Sequence, residues 1–155
     1  LAAVRFIRPF VPPIVAGAVD NVTKPLRQVF TERRYGPNVP VTREGEVGHQ
    51  MFVLLEGMAD VVRGGTVIAQ MKAGAHFGEM ALLNDRPRAA SVRTTTPCRI
   101  LVCERGALAE VLHQSPTLAA RFYLQLARTL SLRLDDAYAF FGEDRAVGSR
   151  PNPVG

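Results

Sequence analysis

From Tyr35 to Glu104 apolar and polar residues alternate in short runs, punctuated by Gly45, Gly48, Gly57, Gly64, Gly65, Gly74 and Gly78. Turn signals separated by about 8–12 residues are how antiparallel sandwiches and barrels read. Met51 to Leu55 predicts a strongly apolar strand ended by Glu56-Gly57. Ala59 to Arg63 and Thr66 to Gln70 flank Gly64-Gly65, a pair suited to a tight hairpin because both positions tolerate positive φ. Further strands are expected over Ala89 to Arg93 and Arg99 to Cys103, after a loop carrying Asn84, Asp85 and Pro87.

Beyond Glu104 the apolar period lengthens from two to 3.6. Leu108, Val111 and Leu112 suit a short amphipathic helix, and Ser115-Pro116 suits a new start, with Ser at the N-cap and Pro at the first helical position. Ala120, Tyr123, Ala127, Leu130, Leu134, Ala137 and Phe141 then recur at spacings of three and four. Such a stripe fits either a face packed on the helix's own domain or a homodimer seam over 120–141. Gly142 is expected to close this helix and leave 142–155 as a flexible tail. At the other end residues 1–35, broken by Pro9, Pro12, Pro13 and Pro25, read as a linker followed by one helix over roughly Val19 to Arg34.

With 155 residues, 47% of them hydrophobic, the chain is long and apolar enough for one folded domain and too apolar to be disordered. Cys98 and Cys103 have no partner in a metal-ligand spacing, and on one strand they would face opposite ways, so a disulfide scaffold and structural zinc are excluded. A reduced cytoplasmic setting is expected. Phe10 to Val19 is shorter than the roughly 20 residues a membrane span needs and contains Pro12 and Pro13. A start at Leu1 instead of Met is expected of a piece of a longer protein.

The net charge of +5 is concentrated at one end: residues 1–35 hold six basic residues against two acidic ones and so carry +4 of it. Nucleic acid is therefore a poor reading of the basicity. An apolar, proline-broken segment with basic residues after it suits a docking arm or a linker on the cytoplasmic side of a membrane.

Candidate chemistry is concentrated in Phe77-Gly78-Glu79-Met80-Ala81-Leu82-Leu83-Asn84-Asp85-Arg86-Pro87-Arg88-Ala89-Ala90-Ser91-Val92. Gly78 permits close backbone approach, and Met80 to Leu83 suits a single helical turn whose first amides face a ligand. Arg88 can present a planar fork to two phosphate oxygens, with small Ala89 and Ala90 leaving their amides reachable. Glu79, an acceptor when ionised, suits sugar hydroxyls and not phosphate.

This stretch resembles the phosphate-binding cassette of the cyclic-nucleotide-binding domain, the β-roll module shared by the catabolite activator protein, protein kinase A regulatory subunits and cyclic-nucleotide-gated channels. The pattern F-G-E-[LM]-A-L, then P-R-[AST]-A-[ST]-V, is matched from Phe77 to Val92, and Arg43 to Gly48 resembles the family's R-x-G-[DE]-x-G turn. The resemblance covers about residues 33–141. It implies a mainly β fold with flanking α-helices: an antiparallel, jelly-roll-like β-roll with an N-terminal helical segment over 1–32, a short phosphate-binding helix and a long C-terminal helix.

The resemblance further implies that Glu79 takes the ribose 2′-hydroxyl, that Arg88 pairs with the cyclic phosphate, and that the amides of Gly78, Met80, Ala81 and Ala89 complete the cradle. Val61 and Ile68 fall where the family lines the base and sugar, and Arg133 falls near the base-capping position on the run Ala127-Arg128-Thr129-Leu130. Members that prefer cGMP often carry Thr or Ser directly after the phosphate arginine. Ala89 stands there in this chain, so cAMP is expected over cGMP.

The implied function is a non-enzymatic sensor that switches an attached or partner effector, such as a channel, a transporter or a regulator, through its C-terminal helix. A ligand-independent dimerisation module on the same fold is the alternative, since fold does not fix function. A metal-dependent enzyme of similar β architecture is disfavoured because His49, His76 and His113 lack ligand spacing. Only fourteen residues follow Phe141, so direct DNA reading by this chain is not expected.

Overall fold

The computed structural model describes backbone at residues 5–6 and 24–148, and side chains over 25–139. Two compact units divide the chain, residues 1–118 and residues 119–155.

The first unit is built from two sheets. One has strand order β1-β6-β5-β8-β3, from β1 (Arg5–Phe6), β3 (Pro40–Thr42), β5 (Met58–Arg63), β6 (Thr66–Lys72) and β8 (Ser91–Thr94). The other has order β2-β9-β4-β7, from β2 (Phe30–Tyr35), β4 (Gln50–Glu56), β7 (His76–Phe77) and β9 (Cys98–Glu104). All neighbours are antiparallel except β1, which runs parallel to β6 with Phe6 opposite Gln70.

Alternation along the strands builds the core. Phe52 and Leu54 of β4, Ala59 and Val61 of β5, Ala69 and Met71 of β6, and Ile100 and Val102 of β9 form one buried cluster. Burying a side chain of the Ile or Phe class is worth roughly 1.5–3 kcal/mol, so this face holds the roll closed. β9 buries Cys98, Ile100 and Val102 in the cluster and leaves Arg99 and Leu101 half-buried, whereas Cys103, five residues after Cys98, lies on the other side with no exposure. Both thiols are free, and burial pushes that of Cys103 up to about 12. The hairpin forms at Gly64-Gly65, with φ of 56° and 79°, as the pair predicts.

Two expectations are corrected. The helix over Val19 to Arg34 is instead α1 (Lys24–Gln28) followed by strand β2, residues 19–23 lying outside the described part. Four successive exposed residues, Thr31 to Arg34, give β2 no alternation to read. Its pairing with β9 and the fork of Arg99 on Glu32, at 2.8 and 3.0 Å, make it a strand. The N-terminal segment is likewise not all linker, since Arg5–Phe6 pairs with β6.

Secondly, after α2 (Arg105–Gln114), the long helix α3 (Pro116–Gly148) runs through Gly142. One helical glycine costs only about 1 kcal/mol relative to Ala, too little to stop a helix whose next residues, Glu143 to Ala146, are tolerated there. At its start the Ser115 hydroxyl accepts the Leu118 N–H at 3.3 Å, the N-cap anticipated from Ser-Pro.

In the second unit the buried positions are Phe122, Leu126 and Thr129, while Tyr123 and Leu134 of the expected stripe are 51% and 53% exposed, which speaks against packing of those two on their own domain and does not bear on a homodimer seam. Leu, Phe and Tyr occupy adjacent stripes of this helix, and periodicity alone does not choose between them. Among the described residues no helix is long and apolar enough to cross a membrane.

Candidate ligand site

β7 is only two residues long, with His76 opposite Val53 and Phe77 opposite Phe52. Phe77 turns into the core and stacks on Phe52, the ring centroids 4.8 Å apart. Gly78 then adopts φ 76° and reverses the chain into the single helical turn expected there, a 3-10 turn over Glu79–Leu82 that starts one residue before Met80. A Cβ at Gly78 would lie 2.7 Å from both the Gln50 carbonyl and the Arg88 guanidinium. Only glycine fits this corner on both counts.

Arg88 is fixed from two directions. Its N–H donates to the Glu46 carbonyl at 2.9 Å, and its carbonyl accepts the Gly45 N–H at 2.8 Å, so the cassette and the Arg43–Gly48 turn share a backbone register. Its Nη2 donates to the Gln50 carbonyl at 3.1 Å, and its guanidinium carbon stands 5.5 Å from the centre of the Phe52 ring, within cation–π range. Gly48 leaves the space the guanidinium fills, since a Cβ there would collide with it.

Desolvation pulls the Arg88 pKa below its ordinary value, against the weaker pull of Glu46 in the other direction. Among the described residues no carboxylate reaches ion-pair distance of Arg88. A half-buried guanidinium held by a carbonyl and a ring is oriented in advance and keeps a planar fork that can receive an anion.

Glu79 is 3% exposed, and its Oε2 stands 3.4 Å from Nδ1 of His76, itself 2% exposed. The turn at Gly78 brings this carboxylate back to the face of β7 opposite Phe77. Ala81 donates its N–H to the Gly78 carbonyl at 3.1 Å, closing the 3-10 turn, and is buried, whereas Met80 and Ala89 are exposed. Val61 lies in the core opposite Ala69. Ile68 occupies the β-bulge between the pairs Val61–Ala69 and Val62–Val67 and is 45% exposed. Arg133 belongs to the second unit, where burial lowers its pKa.

The structure adds residues that the sequence does not single out. Arg105, at the start of α2, donates Nη1 to Asp85 Oδ1 at 2.7 Å and to the Ala81 carbonyl at 3.3 Å, while its N–H donates to the carbonyl of His49 at 2.8 Å. His49 Nδ1 stands 3.6 Å from the same Asp85 oxygen. This clamp ties the cassette to the β9–α2 junction across twenty residues of sequence, and no local pattern signals it.

The hydrogen bond from Arg105 holds the Asp85 carboxyl below its ordinary 3.8, so the tie is complete above that value and is lost as pH falls through the lowered one. Asp85→Asn is expected to speed amide exchange a few-fold across 81–86 at neutral pH and to leave exchange in β9 unchanged. Equal rates in both forms would show that the clamp does not order the loop.

Residues 32–115 match the family described as the cyclic nucleotide-binding domain. A cAMP-dependent protein kinase regulatory subunit from Hypocrea atroviridis is 30% identical over 100 residues, covering 64% of this chain and 22% of that protein. Potassium/sodium hyperpolarization-activated cyclic nucleotide-gated channel 1 from Homo sapiens is 30% identical over 110 residues, covering 71% of this chain and 12% of the channel. The chain thus spans less than a quarter of either relative. A solved cyclic nucleotide-binding domain from Methylobacillus flagellatus shares the fold, with TM-score 0.74, 24% identity, and coverage of 94% of this chain and 85% of that one. The matched segment runs from β2 through α2 and encloses Glu79, Arg88 and the turn that braces them, and the chain belongs to the cyclic nucleotide-binding domain family.

Proposed function

We propose that the chain is a sensor domain that binds cAMP in preference to cGMP, with Arg88 on the cyclic phosphate and Glu79 on the ribose 2′-hydroxyl. The observation that carries this reading is the Arg88 guanidinium: half-buried, desolvated, braced by Gln50 and Phe52, and without a carboxylate partner among the described residues. A singly charged cyclic phosphate supplies the missing counter-charge. Ala89 supports the base preference, because a methyl offers guanine no hydrogen bond.

The output half of the reading rests on the relatives, which are named as a kinase regulatory subunit and a gated channel. By that likeness the domain is a regulatory part of a larger cytoplasmic assembly, not an enzyme, and its C-terminal helix passes the binding event to an effector. A ligand moves such an equilibrium only through unequal contact with the two states.

Calorimetric titration and thermal unfolding with cAMP, cGMP and no ligand test the reading. At about 100 times the dissociation constant, binding adds about 2.7 kcal/mol to folding stability. Ala89→Thr is expected to narrow the gap between the nucleotides by strengthening cGMP about fivefold or more, the worth of one added hydrogen bond. Absence of a shift with either nucleotide would favour a ligand-independent interaction module.

A further inference from the structure

We propose that His76 is a positioning residue for ribose recognition: its imidazole holds Glu79 ionised and in one orientation, so that a 2′-hydroxyl meets a fixed acceptor. This rests on the reading of Glu79 given under the proposed function. The proximity is a product of strand parity and one turn. In β7 the two side chains point to opposite faces, so Phe77 joins the apolar cluster while His76 is buried on the other face, and the reversal at Gly78 returns Glu79 to the face of His76. The 3.4 Å approach of Nδ1 to Oε2 joins two groups that are 2% and 4% exposed in their side chains.

Burial works against ionisation of a carboxyl. A carboxyl that kept its proton would present a donor on one oxygen and so lose part of its capacity to accept from a sugar hydroxyl. An N–H at Nδ1 would favour the ionised form and hold the carboxylate by Oε2 in one orientation. His76 reaches Glu79 from the strand that leads into its own turn.

The test is calorimetric titration of the full chain and its variants with cAMP and with 2′-deoxy-cAMP. A hydrogen bond to a charged group predicts that wild type prefers cAMP by roughly tenfold to a hundredfold. His76→Phe is expected to cut this preference to about threefold or less by weakening cAMP alone, with 2′-deoxy-cAMP binding retained. That selectivity separates positioning from damage to the fold, which weakens both ligands.

Two polar variants keep the test decisive should His76→Phe not fold. In His76→Asn the amide nitrogen takes the place of Nδ1 and is expected to retain the preference. In His76→Gln the donor is displaced, and the preference is expected to fall. Equal preferences in wild type and every folded variant overturn the role of His76, as does loss in His76→Asn to the level of His76→Gln. If wild type itself fails to discriminate between the two ligands, the reading of Glu79 is overturned and the role of His76 falls with it.

Discussion

Arg88→Ala is expected to weaken cAMP binding by roughly 30-fold to several thousand-fold, corresponding to about 2–5 kcal/mol for removing one partner of a buried charge pair. The magnitude follows from the seat being built before the ligand arrives. The Gln50 carbonyl and Phe52 ring already orient the fork, and Gly48 and Gly78 already make room for it, so little ordering cost is left at binding. The fold should survive, because the backbone pairing of residue 88 with Gly45 and Glu46 does not need the side chain. Arg88→Lys keeps the charge and loses the planar fork, and should recover only part of the affinity. Titration of the three forms against cAMP reads the effect, and an unchanged dissociation constant in Arg88→Ala would sink the assigned site.

Gly57→Ala is expected to bring the largest loss of stability from a single added methyl. Gly57 joins β4 to β5 at φ 95°, and a Cβ there would collide with the Pro97 carbonyl and lie 2.6 Å from Cys98 Sγ and 2.9 Å from Thr96 Oγ1. The neighbours cannot withdraw easily, since Met58 donates its N–H to Thr96 Oγ1 at 2.9 Å and accepts the Thr95 N–H at 2.9 Å. Left-handed backbone costs an L-residue about 1–2 kcal/mol, and overpacking adds typically 1–3 kcal/mol. The sum is about 2–5 kcal/mol, and in a chain of this size each kcal/mol lowers Tm by roughly 2–4 °C. Gly64→Asn is the control, since φ there is 56° with nothing within 4 Å, and its Tm should barely move. Thermal melts followed by circular dichroism decide the matter, and matching Tm values for Gly57→Ala and wild type would refute the clash.

The β5–β6 hairpin and β9 were legible because their alternation is written in adjacent letters, and β4 because Met51 to Leu55 is one unbroken apolar run, buried from Met51 to Leu54. The cassette was legible for a different reason, as its glycine, acid and arginine stand close together in sequence. Strand β2 was hidden, because an edge strand exposed at Thr31 to Arg34 shows no period of its own and is defined by what β9 offers it. Arg105 and His49 were hidden because their common partner, Asp85, is brought to them only by the closed roll. His76 is three residues from Glu79, but whether i and i+3 meet depends on how the chain turns between them, and that was settled by the positive φ of Gly78.

The pairing of Arg88 with Gly45 and Glu46 has a consequence for how such a site can vary. The arginine is indexed by a register against a distant turn, not by counting along the loop that leads to it. Within residues 83–87 the loop has one tie of its own, Asp85 to Arg105, while the address of Arg88 beside Gln50 and Phe52 is set from outside the loop. Two separate ties, one at Asp85 and one at Arg88, therefore hold the two halves of the cassette, and a change in the loop between them shifts the first before it reaches the second.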